Sequence, residues 1–110
     1  MEVFVVNPWF NYIKDGIKSI EGRLDRGNYS KLNSGDSLLI KNKESDELVN
    51  VEIIKKTKYR NFEEYLKTEG LEKTLPGIKT IEEGVSIYRG FYSQDDEMTY
   101  GVLALSIKMK

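Results

Sequence analysis

The chain has 110 residues, a length that fits one domain with a single modest hydrophobic core. It contains neither cysteine nor histidine, which excludes disulfides, thiolate metal sites and a histidine general base. Its 17 basic and 18 acidic residues give a net charge of −1, which argues against a broad basic surface for non-specific nucleic-acid binding. Catalysis would therefore have to use Lys, Glu, Asp, Ser, Thr or Tyr, and we expect no metal and no cofactor.

The N-terminal segment MEVFVVNPWF begins with an acidic residue and has only a short apolar run. Such a run is too short to span a bilayer, and the segment lacks the basic start of a signal peptide. We therefore expect a soluble cytoplasmic protein without a membrane partner, and we favour a monomer.

The first half of the chain predicts one helix and four β-strands. Residues 2–6 are short, apolar and β-rich, which is typical of a buried strand. Pro8 suits the first turn of a helix that ends at Gly16. Residues 17–24 predict a second strand, and residues 25–36 a loop dense in Gly, Asn, Ser and Asp. Two further strands, joined by a polar turn, are predicted at residues 37–43 and 47–59.

The second half predicts two helices. Asn61 opens the first, residues 61–70, with a capping-box variant, and Thr80 opens the second, residues 80–92, with a full Thr-x-x-Glu box. The buried stripe of the first helix is predicted to be Phe62, Tyr65 and Leu66.

The chain closes with a loop and a strand. Residues 93–99 are acidic and predict an exposed loop, whereas residues 100–110 predict a strand apolar enough to be central. The resulting order β-α-β-β-β-α-α-β indicates an α+β domain built on a small curved sheet or barrel.

Three charged side chains gather near the predicted second strand. Successive side chains of a strand point to opposite faces, so Ser19, Glu21 and Arg23 share one face, with Lys18 at the start of the strand. Such a face is either an ordinary solvated edge, with ion pairs worth roughly 0–1 kcal/mol, or the wall of a polar pocket.

The segment PWFNYIKDGIKSIEGRL places Gly16, Lys18, Glu21 and Arg23 in the spacing G-x-K-x-x-E-x-R. This motif resembles the signature of the ASCH domains, the activating-signal-cointegrator homology family. The resemblance covers nearly the whole chain and implies one ASCH domain over residues 1–110, with a PUA-like small β-barrel and flanking helices. Later segments that resemble the family's landmarks, in the same order, are SGDSLLI, EEYLKTEGLEKTLPG, TIEEGVSIYR and YGVLALSI.

The resemblance implies a polar cleft beside the barrel that binds RNA or a nucleobase-like ligand such as a modified nucleoside. Arg23 suits a phosphate or a carbonyl-bearing base edge, and Glu21 can accept from an exocyclic amine. Lys18 suits either a phosphate contact or a general base. Tyr29, in the loop after the strand, is a candidate for stacking on a base, whereas the helical spacing of Trp9 predicts core packing.

Some members of this family are amidohydrolases that deacylate N4-acetylcytidine with the motif lysine, a threonine of the same strand and a later glutamate. Lys18 matches the lysine, but Glu21 stands at the threonine position. Ser19 is the only nearby hydroxyl, and Glu69 or Glu72 would stand for the later glutamate.

Whether the protein is an enzyme is therefore left open. The presence of Glu21 at the threonine position favours an RNA- or nucleotide-binding domain. The alternative is a small amidohydrolase whose catalytic residues are Lys18 and Glu21. A pure interaction module is a third hypothesis.

Overall fold

The structure is a computed structural model that describes all 110 residues. It has five strands, five α-helices and one short 3₁₀ helix at Gly27–Lys31. The strands are β1 (Glu2–Val5), β2 (Ile20–Leu24), β3 (Ser37–Asn42), β4 (Leu48–Tyr59) and β5 (Val102–Met109). The α-helices are α1 (Trp9–Lys14), α2 (Phe62–Glu69), α3 (Leu71–Thr74), α4 (Ile81–Arg89) and α5 (Gln94–Tyr100). None of these helices has the length and apolarity needed to cross a membrane.

The five strands form one curled mixed sheet in the order β1-β3-β4-β5-β2. β1 runs parallel to β3, and every other neighbouring pair is antiparallel. β1 and β2 are the two edge strands, and no ladder joins them. The α+β class is therefore confirmed, while the sheet is a half-barrel that stays open between β1 and β2.

Two hydrophobic cores lie on either side of β5. Leu105 and Ile107 belong to the core that β5 shares with β1, β3, β4 and α1. Val102 and Ala104, which alternate with them, belong to the core that β5 shares with β2 and helices α2 to α4. This two-sided burial, together with pairing to β4 and β2, confirms that the last strand is central.

The predicted helix starts are confirmed. The Asn61 side chain accepts the Glu64 N–H at 2.8 Å, and the Thr80 side chain accepts the Glu83 N–H at 3.1 Å. The predicted stripe of α2 is buried throughout. Gly84 lets α4 approach closely, because a Cβ there would lie 2.8 Å from Leu66 Cδ1.

The prediction of a loop at residues 93–99 is wrong, because α5 forms there, although most of these residues are exposed as predicted. Ser93 caps this helix by accepting the Asp96 N–H at 3.1 Å, and acidic residues in a first turn are favoured by the helix dipole. Glu97 is buried, and its carboxylate is satisfied by two partners. It accepts a hydrogen bond from the Phe62 N–H at 2.7 Å and pairs with Arg89 at 2.7 Å.

Other boundaries also differ from the prediction. β2 begins at Ile20 instead of residue 17, because the N–H groups of Ile17 and Lys18 both bond to the Tyr12 carbonyl. The chain therefore turns back against α1 before it becomes extended. The predicted loop at residues 25–36 contains the 3₁₀ helix, and α3 adds a short helix after α2.

Candidate functional site

A cleft of about 270 Å³ lies at the open side of the half-barrel. Its walls come from β1, from β2 with Lys18 two residues before it, and from the C-terminal half of α4 with the residues that follow. Ligand pockets usually have volumes of roughly 300–1,000 Å³, so this cleft suits one small molecule or one group of a larger ligand. Of the predicted site residues, it brings together Lys18, Glu21 and Arg23.

Lys18 is one of the most deeply buried residues of the cleft, with a side chain only 1% exposed. Its Nζ donates to the carbonyl oxygens of Ile20, at 2.6 Å, and of Thr74 in α3. Burial lowers the pKa of Lys18, Glu21 opposes this shift, and Arg23 adds to it. The ammonium is therefore held by main-chain oxygens, next to a carboxylate.

Glu21 is a buried carboxylate with one hydrogen bond from the protein. Its Oε1 accepts the Gly22 N–H at 3.1 Å, whereas Lys18 Nζ lies 3.7 Å from Oε1 and Arg23 Nη2 lies 3.6 Å from Oε2. The two cations are thus beyond normal hydrogen-bonding distance. A carboxylate can accept about four hydrogen bonds, so Glu21 retains unused acceptor capacity.

The charge state of Glu21 follows from its neighbours. Burial alone would raise the pKa of Glu21, but the charges of Lys18 and Arg23 and the Gly22 N–H together bring it below its ordinary value. Glu21 is therefore ionised at neutral pH.

Arg23 reaches from β2 across to β1. Its Nη2 donates to the Phe4 carbonyl at 3.0 Å, and its Nη1 donates to the Tyr29 hydroxyl at 3.3 Å. The guanidinium also lies 5.5 Å from the centre of the Tyr29 ring. Tyr29 is half-buried, packs against the first core and does not line the cleft, so its link to the cleft is through Arg23.

Two exposed aromatic residues line the cleft, and neither is among the site residues predicted from the sequence. Phe4 is 55% exposed and Phe91 is 61% exposed. The available signal was the alternation in β1, which places Phe4 on the face opposite the core residues Val3 and Val5. Trp9 packs against both cores, as predicted, and also reaches the cleft.

The other candidate catalytic residues lie elsewhere. Ser19 and the exposed Glu72 are not among the residues that line the cleft. Glu69 accepts a hydrogen bond from Tyr59, and burial together with this bond raises the pKa of Tyr59 to about 12. No three carboxylates come together in an arrangement that could hold a metal ion.

Comparisons with known proteins identify the family and agree with the fold. The family model of the ASCH domain matches residues 3–110. The crystal structure of hypothetical protein PH0355 is similar with a TM-score of 0.91 and 37% identity, covering 99% of this chain and 97% of that chain. The solution NMR structure of protein PF0455 from Pyrococcus furiosus has a TM-score of 0.76 and 35% identity, with coverage of 99% and 97%. No curated protein matches the chain.

Proposed function

Because the chain belongs to the ASCH domain family, we propose that its cleft binds a nucleotide, either free or as one unit of an RNA strand. The observation that carries this proposal is the state of Glu21: buried, ionised, and hydrogen-bonded by the protein only through the Gly22 N–H. A buried carboxylate with free lone pairs is stabilised by further donors. An exocyclic amine or ring N–H of a base supplies such a donor, and the Arg23 guanidinium supplies the matching donor for a base oxygen.

The aromatic residues support a flat ligand. Phe4 and Phe91 expose large ring surfaces at the cleft, where a base can stack at a gain of about 1–3 kcal/mol per base. Trp9 and Tyr92 extend the aromatic lining. Stacking on the aromatic residues therefore provides affinity for the base, while the charged residues orient the base in the cleft.

The charges lining the cleft support a ligand with a phosphate group. Lys18, Arg23 and Lys43 face a single carboxylate, Glu21, so the lining has an excess of positive charge although the whole chain has a net charge of −1. Long RNA gains affinity through many phosphate contacts, which this surface does not offer. We therefore expect recognition of one nucleotide with a weak dependence on salt.

The test is a titration with mononucleotides and short single-stranded RNAs at two salt concentrations. Arg23→Ala should weaken binding by about 10- to 100-fold, since a hydrogen bond to a charged group contributes about 1.5–3 kcal/mol. Lys55→Ala, which changes an exposed lysine outside the cleft, is the matched control and should leave affinity unchanged. Equal affinity of the Arg23 variant and the wild type would count against the cleft as the nucleotide-binding site.

An amidohydrolase is the second candidate function. It is favoured by the contact of Lys18, whose pKa is lowered by burial, with Glu21 at the cleft. In such a reaction water adds to the acetyl carbonyl of N4-acetylcytidine, the C–N4 bond breaks, and acetate and cytidine are released. Incubation with N4-acetylcytidine should then yield cytidine, and Glu21→Gln should abolish the yield. Absence of cytidine would exclude the amidohydrolase function and would not affect the proposal of nucleotide binding.

A further inference from the structure

Two buried tyrosines share one hydrogen bond beside the cleft. The hydroxyl oxygens of Tyr65 in α2 and Tyr88 in α4 lie 3.2 Å apart, and neither hydroxyl has another hydrogen-bond partner in the protein. Each hydroxyl carries one proton, and the single bond between them uses only one of the two protons. The second proton is therefore free to be donated to another molecule.

The location of the two tyrosines decides which proton is free. Tyr65 is 0% exposed and does not line the cleft, whereas Tyr88 is 5% exposed and belongs to the cleft wall. If Tyr88 donated to Tyr65, the Tyr65 proton would be buried without an acceptor, which is energetically costly. Tyr65 therefore donates to Tyr88, and the Tyr88 proton remains available at the cleft.

Aromatic packing holds the Tyr88 ring in place. The ring stacks on Phe62 with ring centres 4.3 Å apart and an angle of 9° between the planes. Tyr65 packs against it nearly perpendicularly, at 78°, with ring centres 5.8 Å apart. A ring that is packed on two sides has little freedom to turn, so the position of the Tyr88 hydroxyl is fixed before any ligand binds.

Gly22 brings the tyrosine pair against β2. A Cβ at Gly22 would lie 2.7 Å from the Tyr65 hydroxyl, so only glycine leaves room for that oxygen. Gly22 is itself a residue of the cleft wall and lies between Glu21 and Arg23 in the sequence. The Tyr65 hydroxyl, and with it the bonded Tyr88 hydroxyl, therefore lies beside the charged segment of β2.

The charges of this segment act on the Tyr88 hydroxyl. Burial raises the pKa of Tyr88 and the Glu21 carboxylate raises it further, whereas the hydrogen bond from Tyr65 and the charge of Arg23 oppose the shift. Tyr88 therefore keeps its proton at neutral pH. No hydrogen bond joins Tyr88 to Glu21, so the carboxylate does not take up this donor.

We propose, on the basis of the proposed function, that the Tyr88 hydroxyl donates a hydrogen bond to an acceptor atom of the bound base. Glu21 repels a phosphate placed beside it, so the partner of the neighbouring Tyr88 hydroxyl is a carbonyl oxygen or ring nitrogen of the base. Tyr88 is thus a ligand-binding residue, and Tyr65 is a positioning residue that directs the Tyr88 proton into the cleft.

The experiment is a calorimetric titration of the full chain with AMP, GMP, CMP, UMP and ribose 5-phosphate. Tyr88→Phe keeps the ring that stacks on Phe62 and removes only the hydroxyl. For the nucleotide that binds most tightly, this variant should lose about 3- to 10-fold in affinity, as expected for one hydrogen bond between neutral groups. Binding of ribose 5-phosphate, which lacks a base, should be the same for Tyr88→Phe and wild type.

Tyr65→Phe is the matched control. It breaks the same hydrogen bond but leaves the Tyr88 hydroxyl in the cleft wall. The affinity of Tyr65→Phe for the nucleotide should stay within about 2-fold of the wild-type value. A purely structural role of the tyrosine pair would instead make the two variants lose affinity equally, and that result would overturn the proposal.

A double variant separates binding from stability. Tyr88→Phe leaves the Tyr65 proton without its acceptor, so it should also lower the midpoint of urea denaturation. Tyr65→Phe/Tyr88→Phe removes both hydroxyls and should recover part of that midpoint, while its affinity stays as low as that of Tyr88→Phe alone. Affinity that recovers together with stability would contradict a direct contact between Tyr88 and the base.

The outcomes also separate this proposal from the proposed function. If a nucleotide binds more tightly than ribose 5-phosphate, and Tyr88→Phe binds it as tightly as wild type does, the role of Tyr88 is overturned while nucleotide binding stands. If no nucleotide binds more tightly than ribose 5-phosphate, recognition of a base by the cleft is overturned, and the role of Tyr88 with it.

Discussion

The Nη2 atom of Arg23 lies 3.0 Å from the carbonyl oxygen of Phe4, so that one side chain connects the two edge strands of the half-barrel. Unpaired strand edges tend to associate with other chains, and proteins commonly protect them with charged side chains. Here Lys18 and Glu21 cover main-chain groups of β2 in the same way. The three motif residues therefore protect the open side of the sheet and also shape the cleft.

Removal of the Arg23 side chain should destabilise the fold. Arg23→Ala leaves the Phe4 carbonyl without its donor and Glu21 without one of its cations, so the free energy of unfolding should fall by about 1–3 kcal/mol. Urea denaturation measures this change. Lys43→Ala, which removes an exposed cation of the same cleft, should change stability by less than about 0.5 kcal/mol. Equal stability of the two variants would show that Arg23 does not hold the edge strands together.

Lys18 and Glu21 should be energetically coupled. Lys18→Met leaves a buried carboxylate with one fewer cation, and breaking a buried pair in this way costs about 3–5 kcal/mol. The double variant Lys18→Met/Glu21→Gln removes both charges and should recover part of that loss. A double-mutant cycle by urea denaturation gives the coupling free energy, and strictly additive effects would contradict it.

The stabilising effect of Glu21 should depend on pH. Its pKa in the folded protein lies below the unfolded value of 4.5, so the unfolded chain binds more protons at acidic pH. The contribution of Glu21 to the free energy of unfolding is complete above the pKa of Glu21 in the unfolded chain. It is lost as the pH falls through the pKa of Glu21 in the folded protein. Denaturation curves of wild type and Glu21→Gln should therefore differ most at neutral pH and converge in acid.

Glu63→Gln is the control for this pH series, because Glu63 is an exposed residue of α2 paired only with Lys67. The free energy of unfolding of Glu63→Gln should stay within about 0.5 kcal/mol of the wild-type value across the pH series. A gap between wild type and Glu21→Gln that does not narrow in acid would contradict a lowered pKa.

Gly22→Ala should destabilise the protein through overpacking. The added Cβ would lie 2.7 Å from Tyr65 Cζ and from the Tyr65 hydroxyl, and relief of such contacts usually costs about 1–3 kcal/mol. Gly90→Ala is the milder comparison, because Gly90 has a helical φ of −68° and its added Cβ would lie 3.2 Å from the Ile87 carbonyl oxygen, against 2.7 Å from Tyr65 at Gly22. Thermal unfolding should rank Gly22→Ala below both Gly90→Ala and wild type, and an unchanged midpoint would contradict the close packing.

Local signals predicted much of the fold. Asn61 and Thr80 are helix caps whose chemistry acts within four residues, so both helix starts were predictable. Ser93 carries a similar capping signal, but the acidic run after it is equally typical of a solvated loop. The partners that bury Glu97, namely Arg89 and the Phe62 N–H, depend on tertiary structure and are not visible locally.

The candidate site was predictable only in part. The spacing of Lys18, Glu21 and Arg23 indicated a shared site, and the structure brings these three side chains together. The depth of Lys18 was not predictable, because the Thr74 carbonyl that holds it comes from α3, 56 residues further along the chain. Phe91 reaches the cleft only through the tertiary placement of α4, whose Ile87 and Tyr88 line the same cleft.

The placement of β5 inside the sheet, between β4 and β2, also bears on biosynthesis. Both cores draw side chains from residues 102–109, so neither can be completed while that segment is still inside the ribosome. The apolar faces of the earlier strands and helices therefore remain accessible to chaperones until translation has passed this point. The nascent polypeptide can complete its two cores only after β5 has emerged.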